Sequence, residues 1–296
     1  MTLPLIDLVK TRTVLLDGAM GTELMARGLP QGTAPEAWNV ERPGIVKEIH
    51  SEYFAAGADV VSTNSFGGNA LKLAGHGLGE RTYELNLAAA RLAREFAPAG
   101  RYVAGSMGPT GKFLKPQGEF TEEDFAAAYA EQARGLADGG ADVLLVETQY
   151  DLREALAAVR GARSVCSLPV FVTMTFNSFP RGFFTLMGDT VVRSAAELEA
   201  EGVAVVGANC TLNSEQMVGC VRALRAATAL PIIAQANAGQ PVIGPDGGIG
   251  YSQGLEDYVR FVPKIVRAGA GFVGGCCGTN PSFIRAMARK IKEESS

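Results

Sequence analysis

Histidine is almost missing from this sequence, tryptophan occurs once, and cysteine appears only five times in 296 residues. The two histidines, His50 and His76, fall away from the apolar runs described below and read as helix or surface residues, so a Ser/His/Asp site has no base to use. No lysine stands at the end of such a run, which disfavours a Schiff-base aldolase. Five cysteines, an odd number that includes an adjacent pair, are too sparse for a disulfide scaffold and read as reduced thiols of a cytoplasmic protein. No window approaches the roughly 18 uncharged apolar residues of a membrane span, and MTLPLIDLVKTRTVLLDG lacks the apolar core of a signal peptide. A soluble protein with no membrane partner is expected. Charge of one sign is also lacking: 27 Lys+Arg against 31 Asp+Glu give a net charge of −4 without long blocks, which argues against nucleic acid as a partner.

What the sequence has in quantity is small or apolar, with 47% hydrophobic residues and 36 glycines. That composition suits parallel strands buried on both faces and covered by Ala-rich helices. Eight short apolar runs recur, at residues 13–17, 59–63, 102–106, 142–147, 170–175, 203–209, 232–236 and 271–275. Between them lie helical segments with start signals, such as Thr121 three before Asp124, Asp151 before LREALAAV, and Asn280 before Pro281. Gly57, Gly140, Gly202 and Gly269 sit where helices end and strands begin. Eight βα units predict an α/β fold, a (β/α)8 TIM barrel over residues 1–296 as one domain, with a doubly wound open sheet as the alternative. Segments 18–42, 107–120, 176–188 and 237–253 are long βα loops. In a barrel they rim the C-terminal face, where active sites lie, although plain length variation gives the same pattern.

Chemistry concentrates at the ends of these runs. Gly274-Gly275-Cys276-Cys277-Gly278-Thr279 closes the eighth run, and Gly207-Ala208-Asn209-Cys210 closes the sixth. Neighbouring residues of a regular strand face opposite ways, so Cys276 and Cys277 can serve one point only where the strand breaks, and flanking glycines permit that break. Inward side chains of alternate barrel strands share a layer, which brings Cys210 to the same level. Three thiols and an open fourth position match a catalytic-type zinc site, against the alternative that the cysteines pack as small hydrophobes. Cys166 and Cys220 are assigned to packing. A tris-thiolate zinc would deprotonate a substrate thiol and leave its sulfur free to attack an alkyl group. Asp17 and Glu147, at other strand ends, could hold an ammonium group, and the Gly18–Gly21 turn a carboxylate; turn initiation and helix capping are their ordinary uses. Met107-Gly108-Pro109-Thr110-Gly111 and Pro245-Asp246-Gly247-Gly248 lack phosphate-loop spacing and read as loop glycines.

With Asp17-Gly18-Ala19-Met20-Gly21-Thr22-Glu23 and the two cysteine motifs, the chain resembles the homocysteine S-methyltransferase family from Leu15 to about Ile291. Within that family it looks most like the homocysteine-binding module of the cobalamin-dependent methionine synthases. The resemblance implies a barrel with zinc on Cys210, Cys276 and Cys277, completed by homocysteine sulfur. It implies that Asp17 and Glu147 engage the substrate amino group, and that backbone at Ala19 and Met20 receives the carboxylate. Asn237 matches a position that supplies an oxygen to zinc when substrate is absent. Thr148 stands where the betaine-using branch has tyrosine, which favours the cobalamin type.

The resemblance thus implies methylcobalamin, carried by a corrinoid protein or cobalamin-binding module, as methyl donor and partner. Methionine synthases of that type continue into further modules, so the chain reads either as a fragment of one or as a stand-alone subunit. A small-molecule donor such as S-methylmethionine or betaine is the alternative chemistry. A non-catalytic module that binds a thiol or a corrinoid partner is the alternative of another class.

Overall fold

Continuous apolar runs become strands here because both of their faces are buried, one inside a cylinder and one under helices. A computed structural model of the chain describes residues 3–243 and 249–295. In chain order the strands are β1 (Val14–Leu15), β2 (Val60–Ser62), β3 (Tyr102–Met107), β4 (Val143–Gln149), β5 (Val170–Met174), β6 (Asn177–Phe179), β7 (Gly182–Phe184), β8 (Val205–Asn213), β9 (Ile232–Asn237), β10 (Pro241–Ile243), β11 (Ile249–Tyr251) and β12 (Phe272–Gly275). Eight of them form one sheet in the order β1-β12-β9-β8-β5-β4-β3-β2, every pairing parallel. A parallel bridge between Leu16 and Val60 joins its two ends. The eight predicted runs are these eight strands, and the fold is the TIM barrel. The antiparallel hairpins β6–β7 and β10–β11 stand in the loops after β5 and β9 and were not expected. Three-residue strands carry too little alternation to be read from sequence. The glycine loop Pro245-Asp246-Gly247-Gly248 lies outside the described residues.

The helix ends follow their local chemistry. Gly57, Gly140, Gly202 and Gly269 take φ of 110°, 97°, 84° and 116°, values that cost other residues energy, and each turns a helix into the next strand. Thr121 and Asp124 form a reciprocal capping box, and the Asp151 side chain accepts from the Arg153 N–H. Cys220 is buried in the helix Ser214–Ala227, and burial pushes its thiol pKa up. Cys166 follows the helix Leu152–Arg163 with its Sγ 3.5 Å from the Ala162 carbonyl. His50 is buried in the helix Pro43–Ala56. His76 is exposed on a turn.

Inside the cylinder, side chains of alternate strand residues stack in layers. The lower layers are apolar: Val60, Ala104, Leu145, Phe171, Val205, Ile233 and Phe272 belong to one buried cluster, closed from below by Leu5. Two residues further along most strands the inward positions turn polar, to Ser62, Ser106, Glu147, Thr173 and Gln235, with Asn209 four beyond Val205. The cylinder therefore has a hydrocarbon floor and a hydrogen-bonding ceiling. No helix among the described residues is long and apolar enough to cross a membrane.

Gly207 fills the gap in β8 between Val205 and Asn209, because a Cβ there would stand 2.3 Å from the Ile233 carbonyl oxygen. Gly44, in the first turn of its helix, has nothing within 4 Å of that position. Gly207→Ala is expected to destabilise by about 1–3 kcal/mol and Gly44→Ala to be neutral or slightly stabilising, read as denaturant midpoints. Equal midpoints for the two variants would contradict this packing.

Candidate metal centre and substrate cavity

Three sulfur atoms meet at the ceiling of the barrel. The Sγ atoms of Cys210, Cys276 and Cys277 all lie within 4.8 Å of one another, with Cys210 and Cys277 4.0 Å apart. They come together because two strands end irregularly. β12 stops at Gly275, so Cys276 follows the strand and Cys277 opens a turn, as the adjacent pair requires. Of the flanking glycines only Gly278 has positive φ, at 81°, and a Cβ on it would meet the Tyr251 ring at 2.3 Å. Gly274 and Gly275 serve close approach instead: a Cβ would stand 2.8 Å from the Leu16 Cβ and 2.2 Å from the Thr279 Oγ1. In β8 the register shifts after Asn209, and Cys210 and Thr211 adopt φ of 63° and 57°. Thr148, in a matching irregularity of β4, has φ 60°. Non-glycine residues in this region cost about 1–2 kcal/mol each.

Asn209 binds the irregular ends together and was not singled out from sequence. Its Oδ1 accepts from the Thr148 N–H at 2.8 Å and the Thr173 hydroxyl at 2.9 Å. Its Nδ2 donates to Thr148 Oγ1 at 2.8 Å and Glu147 Oε2 at 3.2 Å, and faces Cys276 Sγ at 3.9 Å. The signal for it was a polar residue at an inward position of an otherwise apolar run. Tyr251, on β11, hydrogen-bonds Cys277, and it too escaped notice because its loop has no periodicity.

The thiols share charge unequally. Hydrogen bonds from Cys276 and then Cys277 draw the Cys210 pKa well down, with the Thr211 N–H and the Asn237 amide adding to the effect. The bond to Cys210 correspondingly pushes Cys276 and Cys277 up. By themselves the three sulfurs thus favour one negative charge, and a dication is the partner that would support three. Asn237 is 5% exposed, and its Oδ1 has no hydrogen-bond partner. Three thiols with a spare buried oxygen fit zinc in a donor set open to exchange.

The cluster borders a cavity of about 430 Å³. Ala19, Met20 and Glu147 line it as well, together with Ser62 and Gln235. Ala19 caps the helix Met20–Ala26, whose first N–H groups have no partner within the helix. Glu147 is held by the Ser106 hydroxyl and Asn209, and burial raises its pKa to about 7. Asp17 is placed differently from the others. It is 1% exposed, and its two oxygens accept from the Ser62 N–H at 2.6 Å and the Ser62 hydroxyl at 3.1 Å. Burial raises its pKa to about 8.

The homocysteine S-methyltransferase family profile matches residues 14–291. The methionine synthase of Mycobacterium tuberculosis is 35% identical over 314 residues, covering 97% of this chain and 25% of the relative. The methionine synthase of Mycobacterium leprae is also 35% identical, over 306 residues with the same coverage. The chain thus spans about a quarter of the length of these relatives. The metallated form of homocysteine methyltransferase MmuM from Escherichia coli superposes with a TM-score of 0.81 at 28% identity, covering 97% of this chain and 100% of that one. Its oxidized form gives a TM-score of 0.82 at 26% identity over 98% and 100%.

Asp17 keeps its proton in the folded chain up to about pH 8, whereas an unfolded aspartate loses it near 4. The native state therefore binds more protons between these values, and stability falls as pH rises through that window. In thermal melts without ligand, Asp17→Asn is expected to give a shallower decline from pH 5 to pH 8 than the unsubstituted protein. Parallel profiles would remove Asp17 from the account.

Proposed function

The chain belongs to the homocysteine S-methyltransferase family, and from that premise we propose that residues 1–296 form a homocysteine-activating barrel that makes methionine with zinc. Methylcobalamin on a separate corrinoid protein or module is the donor in this reading. The observation that carries it is the convergence of Cys210, Cys276 and Cys277 within 4.8 Å on the edge of an open cavity.

Cys210, Cys276 and Cys277 would hold the zinc, with Asn237 Oδ1 as the oxygen released when substrate enters. Bound there, zinc supplies a Lewis acid that keeps a substrate sulfur ionised at neutral pH. The rest falls to the chain. Glu147 receives the ammonium group of homocysteine, and Asp17, protonated at neutral pH, holds Ser62 at the cavity wall from behind. Backbone N–H groups at Ala19 and Met20 receive the carboxylate. Asn209 and Ser106 hold Glu147 in position, and Tyr251 orients Cys277. The substrate thiol releases its proton on binding. Its sulfur then attacks the donor's methyl carbon: an S–C bond forms, and the bond from methyl to donor breaks with its electron pair leaving on the donor.

Two features support a protein-borne donor. Exposed apolar side chains stand on the segments that follow barrel strands, among them Met25 at the cavity and Phe113, Phe179, Leu186 and Ile243 on the βα loops, the last two 68% and 80% exposed. Such patches mark interaction surfaces. Lys72 Nζ lies 4.9 Å above the Phe66 ring on the cavity's edge, so a cationic small donor would find that aromatic face already taken. A small-molecule donor is the second reading. What favours it is that the solved chain of MmuM, a homocysteine methyltransferase, is matched by this barrel over its whole length, with no further module in it.

Purified protein is expected to carry about one zinc, and each of Cys210→Ser, Cys276→Ser and Cys277→Ser to lose most of it. Full zinc in all three variants would end the ligand assignment. With homocysteine, a panel of methylcobalamin on a corrinoid protein, S-methylmethionine and betaine is expected to yield methionine from the first. Product from a small donor alone supports the second reading, and no product from any donor would leave a binding module.

A further inference from the structure

We propose that Gln235 recognises the α-ammonium group of the thiol substrate and so sets the preference for amino-acid thiols; this rests on the homocysteine reading above. Gln235 belongs to the inward polar layer of the barrel, where it stands in register between Asn209 on β8 and Gly274 on β12. The other members of that layer are already engaged. Ser62 donates to Asp17, Ser106 to Glu147, and Thr173 to Asn209, while Asn209 bonds Thr148 and Glu147. Gln235 is 4% exposed and lines the cavity, yet its Oε1 has no hydrogen-bond partner. Its neighbour Gly274 has no side chain to offer one.

Buried acceptors are rarely left bare, so the missing donor is expected to arrive with a ligand. The chemistry of the cavity restricts what that ligand brings. A substrate sulfur held as thiolate and a carboxylate are both acceptors, and neither can donate to Oε1. An ammonium group has three N–H donors, enough to bond Gln235 and Glu147 together. The other bare oxygen nearby, Asn237 Oδ1, belongs to the side chain whose amide reaches Cys210, and the proposed zinc would account for it. Gln235 is therefore assigned to selectivity for the amino group, with the thiols left to bind sulfur.

The test is calorimetric binding to zinc-loaded protein, using L-homocysteine and 4-mercaptobutanoic acid, which has the same thiol and carboxylate but no amino group. Gln235→Met removes the acceptor at similar volume, and Gln235→Glu keeps an acceptor oxygen. The unsubstituted protein is expected to prefer homocysteine. Gln235→Met is expected to weaken homocysteine at least tenfold and the desamino analogue by less than twofold, and Gln235→Glu to keep the preference. Equal losses for both ligands, no loss for homocysteine, or a preference lost in Gln235→Glu would each overturn the assignment. If Gln235→Met fails to fold, the Gln235→Glu comparison decides. Should the unsubstituted protein bind neither thiol, the homocysteine reading itself fails, a result distinct from equal binding of both, which removes only the ammonium contact.

Discussion

Everything at this site depends on β8 leaving its ladder at Asn209. A regular strand would send Cys210 outward under the helices, because Asn209 already points inward. The left-handed conformations of Cys210 and Thr211 turn the thiol back toward Cys276 and Cys277. Those conformations, and that of Thr148, are locally unfavourable and persist only where surrounding contacts hold them. Asn209 provides those contacts, bonding Thr148 through both ends of its amide and Glu147 through its NH2 group. One carboxamide thus fixes a thiol-bearing strand end and an acidic strand end in a single arrangement. Among the described residues no other non-glycine residue takes positive φ, and strain gathered at these strand ends is what a preformed site requires.

The two halves of the cylinder divide the work. Its lower layers are hydrocarbon and supply stability, with ring contacts such as Phe171 to Phe272 at 5.4 Å crossing the interior. Its upper layer is polar, and its members find partners in one another, in Asp17 and in Thr148, with Gln235 Oε1 left bare. Outer supports complete the frame: the Tyr258 hydroxyl bonds the carbonyls of Ala236 and Gly274, and the Thr279 hydroxyl bonds that of Cys276. The backbone that carries the sulfurs is therefore braced by side chains that do not line the cavity.

The barrel was legible because its signals are of the strongest kind. Strands buried on both faces read as unbroken apolar runs, and helix ends with positive φ read as glycine. The thiol trio was legible by residue type at strand ends. Other features depend on direction, which sequence does not carry. Asp17 lies just past β1, a two-residue strand, and nothing in the sequence tells whether a residue beyond the last ladder pair turns to the cavity or, as here, to Ser62. The glycines around Cys276 and Cys277 were read as conformational, whereas two of the three serve space. Asn209 stood within a quoted motif, but its role appears only when β4 and β8 are placed side by side.

Zinc-edge X-ray absorption tests the central claim most directly, because it counts sulfur atoms around the metal. The account predicts three sulfurs at about 2.3 Å with one lighter atom, changing to four sulfurs when homocysteine is added. Fewer than three sulfurs in the unliganded protein, or a count that homocysteine leaves unchanged, would contradict it.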